Sequence, residues 1–163
     1  MAHALNFTVP IKQDPASLAI LASVKAKFAK EIQPKIEDAA RRSKIVHFAR
    51  IVVIHDKYIQ VLTEYDGSHE EYAEWFRKNL NDLFKEVFSF ADVSVDWATV
   101  NNQAAFYEVS KTLQIRSLGD SIYGDKDFDG NLEGYLFSAY KDREVKDILP
   151  KLEEERRSLS RAR

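Results

Sequence analysis

The longest run of apolar residues in the chain predicts the centre of the fold. Residues 45–54 are rich in β-branched side chains, and residues 58–65 form a second run of the same kind. His55, Asp56 and Lys57 separate the two runs, which predicts a β-hairpin with a tight turn. The first run is apolar at both of its alternating sets of positions, so we expect both faces of that strand to be covered.

The residues before the hairpin predict one strand and one helix. Residues 5–11 alternate between apolar and polar side chains, as in a strand with one buried face. Pro10 has no N–H group, so this strand lies at an edge or ends there. Asp14 followed by Pro15 is typical of a helix start, and Pro34 should end or kink that helix.

The residues after the hairpin have a helical pattern. Ser68 followed three positions later by Glu71 is typical of a capping box, and the apolar stripe that begins there continues to Phe88. We expect this aromatic-rich stripe to pack on the sheet as part of the core. Residues 103–113 predict a further helix.

The last third of the chain predicts a loop, a strand and a helix. Residues 116–133 are rich in Gly and Asp and predict a long loop, and residues 134–140 predict the final strand. Residues 142–157 predict a charged helix that Pro150 kinks. Its inward-facing side chains are expected to be Val145, Ile148, Leu149 and Leu152.

This order of elements is that of a ferredoxin-like βαββαβ fold. We therefore predict an α+β protein with a four-stranded antiparallel sheet, a helical insertion over about residues 91–133 and an extra C-terminal helix. The chain has 163 residues and is expected to form a single domain over residues 1–163. If the main helices lie on one face of the sheet, a second copy of the chain is the simplest cover for the other face. The sequence thus predicts a homodimer.

Two motifs in the hairpin resemble a known superfamily. The motif HFAR at residues 47–50 and the motif EYDG at residues 64–67 are similar to those of the dimeric α+β barrel superfamily. The resemblance is to small bacterial proteins related to dye-decolourising-peroxidase-like sequences, and it covers residues 4–90 and the final strand. The superfamily includes haem peroxidases, chlorite-dismutase-like enzymes, cofactor-free monooxygenases and binding modules. The resemblance therefore implies a dimeric α+β barrel but no single reaction.

Haem is a candidate cofactor on the strength of this resemblance alone. The haem peroxidases of the superfamily carry two ferredoxin-like repeats, whereas this chain has the pattern of one. That difference weighs against the peroxidase version and leaves the cofactor unassigned.

The register of the hairpin determines whether its polar residues meet. A two-residue turn at 56–57 would place His47 near Glu64 and Asp66. An imidazole oriented by a carboxylate is a general-base arrangement, and it is also a candidate ligand for a metal or haem. A three-residue turn would instead place Glu64 opposite Phe48 and break up the cluster. The alternative role for His47 is that of a core or interface histidine held by a carbonyl or carboxylate.

Arg50 is a charge inside a strand that is otherwise apolar, so it needs a partner. It either forms an ion pair with Glu64 or Asp66, in the core or at a dimer interface, or it anchors a ligand carboxylate or haem propionate. We take His47, Arg50 and Asp66 as the candidate catalytic residues. The candidate ligand-binding residues are Glu64, Tyr65, Asn6, Thr8 and Gln60. No role is assigned to His3, His55 and His69.

The amino-acid composition argues against several classes of function. The chain has no Cys, which excludes disulfides, thiolate metal sites and cysteine nucleophiles. Its net charge of −2 does not favour a general nucleic-acid binder or an anionic-membrane binder. It shows no signal-peptide pattern and no apolar run long enough to span a bilayer, so we expect a cytoplasmic protein.

One acidic segment is similar to the start of an EF-hand loop. Asp125, Asp127 and Asp129 alternate and are followed by Gly130, a spacing that suits Ca²⁺. The twelfth position is Leu136 and not the bidentate Glu that such loops require. A solvated acidic loop is therefore favoured, and no metal site is predicted.

Three functions remain open at this point. The first is binding of a small apolar or aromatic ligand between the sheet and its helices or a partner sheet. The second is a haem-dependent peroxidase-like or cofactor-free monooxygenase-like enzyme, and the third is a structural or regulatory interaction module. The first is favoured because an apolar sheet with a few convergent polar groups is typical of ligand pockets. A space packed solid with side chains would count against it.

Overall fold

The fold is built on an antiparallel sheet with helices on one of its faces. The structure, a computed structural model, describes residues 2–127, 129–140 and 142–161. The fold is α+β, as predicted, with three strands in the sheet order β1-β3-β2. β1 and β2 are both antiparallel to β3, so they run parallel to each other on either side of it. The strands are β1 (Ala2–Pro10), β2 (Val46–Ile54) and β3 (Tyr58–Asp66).

The helices lie between and after the strands, and their starts follow local signals. The side chain of Asp14 accepts a hydrogen bond from the Ser17 N–H at 2.9 Å, and that of Ser68 accepts from the Glu71 N–H at 3.2 Å. These two predicted helix starts are confirmed. The helices are α1 (Pro15–Lys27), a π-helical turn (Phe28–Ile32), α2 (Gln33–Ser43), α3 (His69–Asn79), α4 (Asn81–Phe90), α5 (Trp97–Val100), α6 (Gln103–Thr112) and α7 (Val145–Arg161). Within the described ranges, no helix is long and apolar enough to cross a membrane.

Two predicted helix boundaries differ from the structure. Pro34 does not end the helical segment, because it lies in the first turn of α2, where its missing N–H is not needed. The regular helix is instead interrupted by the π-helical turn that directly precedes α2. The helix predicted from Ser68 to Phe88 is divided at Leu80, whose backbone leaves the helical region at φ −125° and ψ 31°. The two parts, α3 and α4, present their apolar stripes to the same core.

The hairpin has a different register from the one that a two-residue turn at 56–57 predicts. Phe48 pairs with Glu64, so residues 55–57 form a three-residue turn. His55 and Asp56 adopt left-handed backbone conformations, with φ of 50° and 55°. Asp tolerates this conformation because its short side chain can hydrogen-bond locally, but the sequence does not show that both residues would adopt it. Of the two registers considered from the sequence, the one with Glu64 opposite Phe48 is therefore the one that forms.

A β-bulge at His47 alters the register again at the other end of the hairpin. The ladder shifts between Phe48 and Val46, and Val46 pairs with Tyr65. The extra residue bends β2 and redirects the His47 side chain, as bulges commonly do. As a result, His47 reaches Asp66 even though the three-residue turn was expected to separate the polar residues.

The fourth strand of the predicted sheet is not confirmed. Residues 134–140 lie in irregular structure, although their pattern predicts a strand. Part of the free edge of β1 is occupied by residues 113–115, whose backbone hydrogen-bonds to Asn6 and Thr8 at 3.0 and 2.7 Å. Since the backbone groups at that edge already have partners, residues 134–140 cannot pair with them there.

One face of the sheet carries the core. The apolar positions predicted for the first strand are confirmed, because Leu5, Phe7, Val9 and Ile11 are all buried. The aromatic stripe of α3 and α4 is also confirmed as core, since Phe76 and Phe88 are buried in the same cluster. Burial of this apolar surface is the main stabilising contribution to such a fold.

The opposite face of the sheet is open. Phe48 is 63% exposed, and Val52, Ile54 and Tyr58 on the same face are exposed too. The expectation that both faces of β2 are covered is not met within one copy of the described chain.

The C-terminal helix α7 packs only at its beginning. Val145 is buried, as predicted, whereas Leu149 and Leu152 are exposed, contrary to the prediction that they face inward. Pro150 lies inside the helix, as expected. Residues 162–163, at the basic end of the chain, lie outside the described residues. Ile148 is half-buried, so only the part of the apolar stripe beyond it, Leu149 and Leu152, is left exposed within the described chain.

Candidate functional site

A cavity of about 570 Å³ lies between the core face of the sheet and the helices. All three strands contribute to its lining, and so do α1 to α4, α6 and the π-helical turn. The lining is mostly apolar, and it includes Phe7, Val61, Phe76, Phe84 and Phe106. A volume of this size and character is typical of sites that bind small organic molecules.

Two hydroxyl groups meet in the wall of this cavity. Thr63 projects from the central strand β3 and Tyr72 from α3, and both side chains line the cavity. The Thr63 hydroxyl donates to the Tyr72 oxygen at 3.0 Å. Thr63 is 4% exposed and Tyr72 is 6% exposed, so the pair has little contact with bulk water. Burial raises the pKa of Tyr72 to about 12, and the hydroxyl is therefore protonated at neutral pH.

His69 forms a second buried polar group beside this pair. The Ser110 hydroxyl donates to the Tyr107 carbonyl at 2.7 Å, so its oxygen accepts from His69 Nε2 at 2.9 Å. The other ring nitrogen, Nδ1, accepts from the Tyr65 hydroxyl at 3.3 Å. Burial lowers the pKa of His69 to about 4, and the charge of Lys111 acts in the same direction. The ring is therefore neutral at physiological pH, and both nitrogens are hydrogen-bonded.

The start of α3 explains why these groups face the cavity. Ser68 caps the helix, so that His69, Tyr72, Ala73 and Phe76 lie on one helical face at positions i, i+3, i+4 and i+7. All four side chains line the cavity. No role is assigned to His69 from the sequence. Its helical spacing from Tyr72, Ala73 and Phe76 is the signal that would have placed it on the same face of α3.

The predicted catalytic residues lie on the other face of the sheet. His47, Arg50 and Glu64 line a cleft of about 530 Å³, which is closed on one side by residues 136–140. The cleft thus brings together two predicted catalytic residues, His47 and Arg50, and the predicted ligand-binding residue Glu64. Arg50 also contributes to the lining of the cavity between sheet and helices.

His47 and Asp66 form a buried pair at the edge of this cleft. His47 Nε2 donates to Asp66 Oδ1 at 2.9 Å, and their side chains are 7% and 5% exposed. The second carboxylate oxygen of Asp66 accepts from the Val145 N–H at 2.8 Å. The carboxylate therefore joins the bulge of β2 to the first residue of α7.

Arg50 is exposed on the edge strand and not buried in the core. Its charge favours the ionised form of Glu64, as does His47, but burial is the larger effect and raises the pKa of Glu64 above its ordinary value. The expectation of a core ion pair for Arg50 is therefore not met within one copy of the chain. A partner across the open face remains the alternative.

The predicted ligand-binding residues are divided between the two faces. Thr8 and Gln60 are paired across β1 and β3, with Gln60 Nε2 donating to Thr8 Oγ1 at 3.1 Å. Asn6 Nδ2 donates to the Ile115 carbonyl at 2.9 Å and so holds the segment beside β1. Tyr65 faces the core, where it contacts His69. Only Tyr65 among these residues lies on the side of the large cavity.

The acidic segment forms a local turn. Asp127 Oδ1 accepts from the backbone N–H groups of Asp129 and Asn131 at 2.9 and 2.8 Å. Phe128, between them, lies outside the described residues. In the parts of the chain that the structure describes, no group of three or more His, Cys, Asp or Glu is arranged to hold a metal ion.

Comparison with known proteins gives no further identification. No protein-family model, curated protein or solved structure matches this chain. Membership of the dimeric α+β barrel superfamily therefore stays a prediction from the hairpin motifs. The function has to be inferred from the cavity and the cleft themselves.

Replacing Asp66 by Ala should destabilise the protein. The change leaves His47 Nε2 and the Val145 N–H without this acceptor, and each buried donor left unsatisfied costs about 1–3 kcal/mol. Urea unfolding measures the loss, and Asp66→Asn should lose less because it keeps one acceptor oxygen. A free energy of unfolding that Asp66→Ala leaves unchanged would show that the carboxylate does not hold these two elements together.

The pKa of His69 should make stability fall in mild acid. The unfolded chain binds a proton at its ordinary pKa of 6.5, whereas the folded protein binds it only near 4. Stability is therefore lost as the pH falls below about 6.5, by about 2 kcal/mol at pH 5 relative to pH 7. NMR titration of the imidazole gives the folded pKa directly.

The control for this prediction is His69→Gln, which should lose that part of the pH dependence. His3 affects the pH dependence of stability in the opposite direction, because its hydrogen bond to Glu133 raises its pKa. This effect is present in both the unmodified protein and His69→Gln, so it does not alter the comparison. A folded-state pKa near 6.5 for His69 would contradict its burial in a neutral form.

Proposed function

We propose that this protein binds a small apolar or aromatic molecule in the cavity between its sheet and its helices. The observation that carries the proposal is the cavity itself, about 570 Å³ in volume, with mostly apolar walls and a few polar groups. Protein interiors are normally close-packed, with few voids larger than a water molecule. A space of this size lowers stability when it is empty, and a bound ligand would restore the missing contacts.

The entrance to this cavity is formed by α1, α2 and the edge strand β2. Lys25 and Glu37 line the cavity and are exposed, which places its polar rim at the helical segment that contains the π-helical turn. Phe28 in that turn and Ile36 in α2 line the apolar part just inside. Local π-helical turns are frequent at functional sites. This arrangement supports entry of a ligand past the rim and into the apolar interior.

A second part of the proposal is that the open sheet face pairs with another copy of this chain. Phe48, Val52 and Ile54 are apolar and exposed there, and large apolar patches commonly mark protein contacts. Arg50 and Glu64 lie on the same face and carry opposite charges. A patch with both charges can be complementary to itself across a two-fold axis. Such a pair would have the two-sheet arrangement of a dimeric α+β barrel, in agreement with the hairpin motifs.

A second candidate function is an enzyme that acts in the open-face cleft. The observation that favours it is the His47–Asp66 pair, because a histidine oriented by a carboxylate is a general-base arrangement. Asp66 also binds the Val145 N–H, which gives the same pair a purely structural role. A catalytic role would require a folded His47 variant that loses turnover, and not only stability. The cavity remains the better-supported site.

Narrowing the cavity should weaken ligand binding without unfolding the protein. Ala73 is buried and lines the cavity, so in Ala73→Leu the added atoms occupy the free space. We expect naphthalene to bind the unmodified protein in calorimetry and to raise its Tm, and we expect weaker binding to Ala73→Leu. Stability of that variant should be unchanged or higher.

Ala26→Leu is the matched control, because Ala26 lies on the exposed side of α1 and does not line the cavity. It should bind naphthalene like the unmodified protein. A protein that binds no neutral aromatic probe, or an Ala73→Leu variant that binds it equally well, would contradict the proposal.

Changing the open face should alter the oligomeric state. In sedimentation velocity, the unmodified chain should have about twice its 18.8 kDa mass, and Phe48→Glu should be monomeric because it places a charge in the apolar interface. Leu118→Glu is the control, since Leu118 is 92% exposed in the loop after α6 and does not line the open-face cleft. An unmodified chain that sediments as a monomer at micromolar concentration would refute the pairing.

A further inference from the structure

We infer that the ligand of the cavity carries a neutral hydrogen-bond-accepting oxygen, such as that of an aromatic ketone or quinone, which binds at the Thr63–Tyr72 hydroxyl pair. This inference rests on the proposed ligand-binding function and makes its ligand class more specific. It depends on how many hydrogen bonds these two hydroxyls make and on which charges are near them.

The two hydroxyl groups carry two hydrogens, and within the described chain only one of these hydrogens is donated to an acceptor. Thr63 and Tyr72 each carry one hydroxyl hydrogen, and the bond between them uses one of the two. Among the described residues, no acceptor takes the other hydrogen. If the direction of the bond is reversed, Thr63 holds the spare hydrogen in place of Tyr72. In both cases an unused donor lies in the wall of the cavity.

An unused donor at this depth has an energetic cost. A buried polar group without a partner destabilises a protein, and a ligand that supplies the missing acceptor removes that penalty. Both hydroxyls are more than nine-tenths buried and both line the cavity, so a ligand in the cavity has access to them. His69, which also lines the cavity, does not have the same deficit, because both of its ring nitrogens are hydrogen-bonded.

The surroundings of the pair favour a neutral acceptor over an anion. His69, Ser110, Ala73 and Phe76, which share this part of the lining, carry no positive charge at neutral pH. Lys111 acts electrostatically on His69, but it pairs with Glu108 Oε2 at 3.0 Å and does not line the cavity. Within the described ranges, the two cations that line the cavity, Lys25 and Arg50, are both exposed. A carboxylate or phosphate at the buried hydroxyl pair would therefore lose its hydration without a buried cation among the described lining residues, which is unfavourable.

The rest of the lining favours an aromatic body for the ligand. Tyr72 lies 4.7 Å from Phe76, ring centre to ring centre, and Phe84 lies 4.9 Å from Phe106. All four rings line the cavity. Aromatic rings pack well against others in offset or edge-to-face geometry. The site thus combines walls that contain several aromatic rings with a hydrogen-bond donor at the Thr63–Tyr72 pair.

The test compares two probes of the same shape. 2-Acetylnaphthalene has a carbonyl oxygen, and 2-isopropenylnaphthalene has a CH₂ group in its place. We would measure the Kd of both for the unmodified protein and for Tyr72→Phe by calorimetry, and take the ratio of the hydrocarbon Kd to the ketone Kd. In Tyr72→Phe the ketone loses one hydrogen bond, so its Kd should rise, whereas the hydrocarbon keeps its apolar contacts and its Kd should not change. The ratio should therefore fall about tenfold.

Two further variants complete the test. Thr63→Val should also lower the ratio, and it replaces Tyr72→Phe if that variant does not fold. Tyr58→Phe removes a hydroxyl from the open face and should leave the ratio unchanged.

The outcomes separate this inference from the proposed function. If neither probe binds the unmodified protein, the ligand-binding function itself is wrong. If both probes bind and the Kd ratio is the same in the hydroxyl variants, the cavity binds ligands. The inference that the ligand carries a hydrogen-bond-accepting oxygen is then overturned. Tighter binding of the anion 2-naphthoate than of the ketone would overturn the inference that the oxygen-bearing group of the ligand is neutral.

Discussion

The pairing of β3 with its two neighbours is the constraint on which the rest of this structure depends. Side chains of a strand alternate between the two faces, so the register determines which residues meet the helices and which meet solvent. In the observed register Thr63 and Tyr65 face α3, while Leu62 and Glu64 face the open side. A shift of one residue would exchange these sets, and both the cavity and the open face would change their lining.

The cavity exists because α3 is held in place without filling the space beneath it. Trp75 Nε1 donates to the Ala39 carbonyl at 3.1 Å, which ties α3 to α2, and the Thr63–Tyr72 bond ties α3 to the sheet. The side chain between these anchors on the inner face of α3 is the small Ala73. Two fixed points with a small residue between them leave room that a uniformly large apolar stripe would occupy. The same contacts that hold the helix therefore define the binding site.

Local features of the fold could be predicted from the sequence, since each depends on neighbouring residues. The helix starts at Asp14 and Ser68 depend on a side chain that accepts from an N–H three residues later. The apolar alternation of the first strand follows equally directly from its pattern. The turn length could not be predicted in this way, because His55 and Asp56 adopt left-handed conformations that most residues avoid.

The candidate site was harder to predict, because it depends on contacts between distant segments. The His47–Asp66 contact was expected from a two-residue turn, but in the structure a bulge produces it. The fourth strand was expected from the pattern of 134–140, but residues 113–115 occupy part of the edge of β1. The cavity cannot be recognised from the sequence. An apolar residue fits the same hydrophobic pattern whether its side chain packs against another side chain or lines an empty space.

The central claim is that the space between sheet and helices is open, apolar and large enough for a ligand. A crystal structure of the protein under xenon pressure tests it most directly, because xenon occupies dry apolar cavities. We expect xenon to bind between β3 and α3, close to Ala73 and Phe76. Side chains that fill this space, with no xenon in it, would remove the basis for a ligand-binding function.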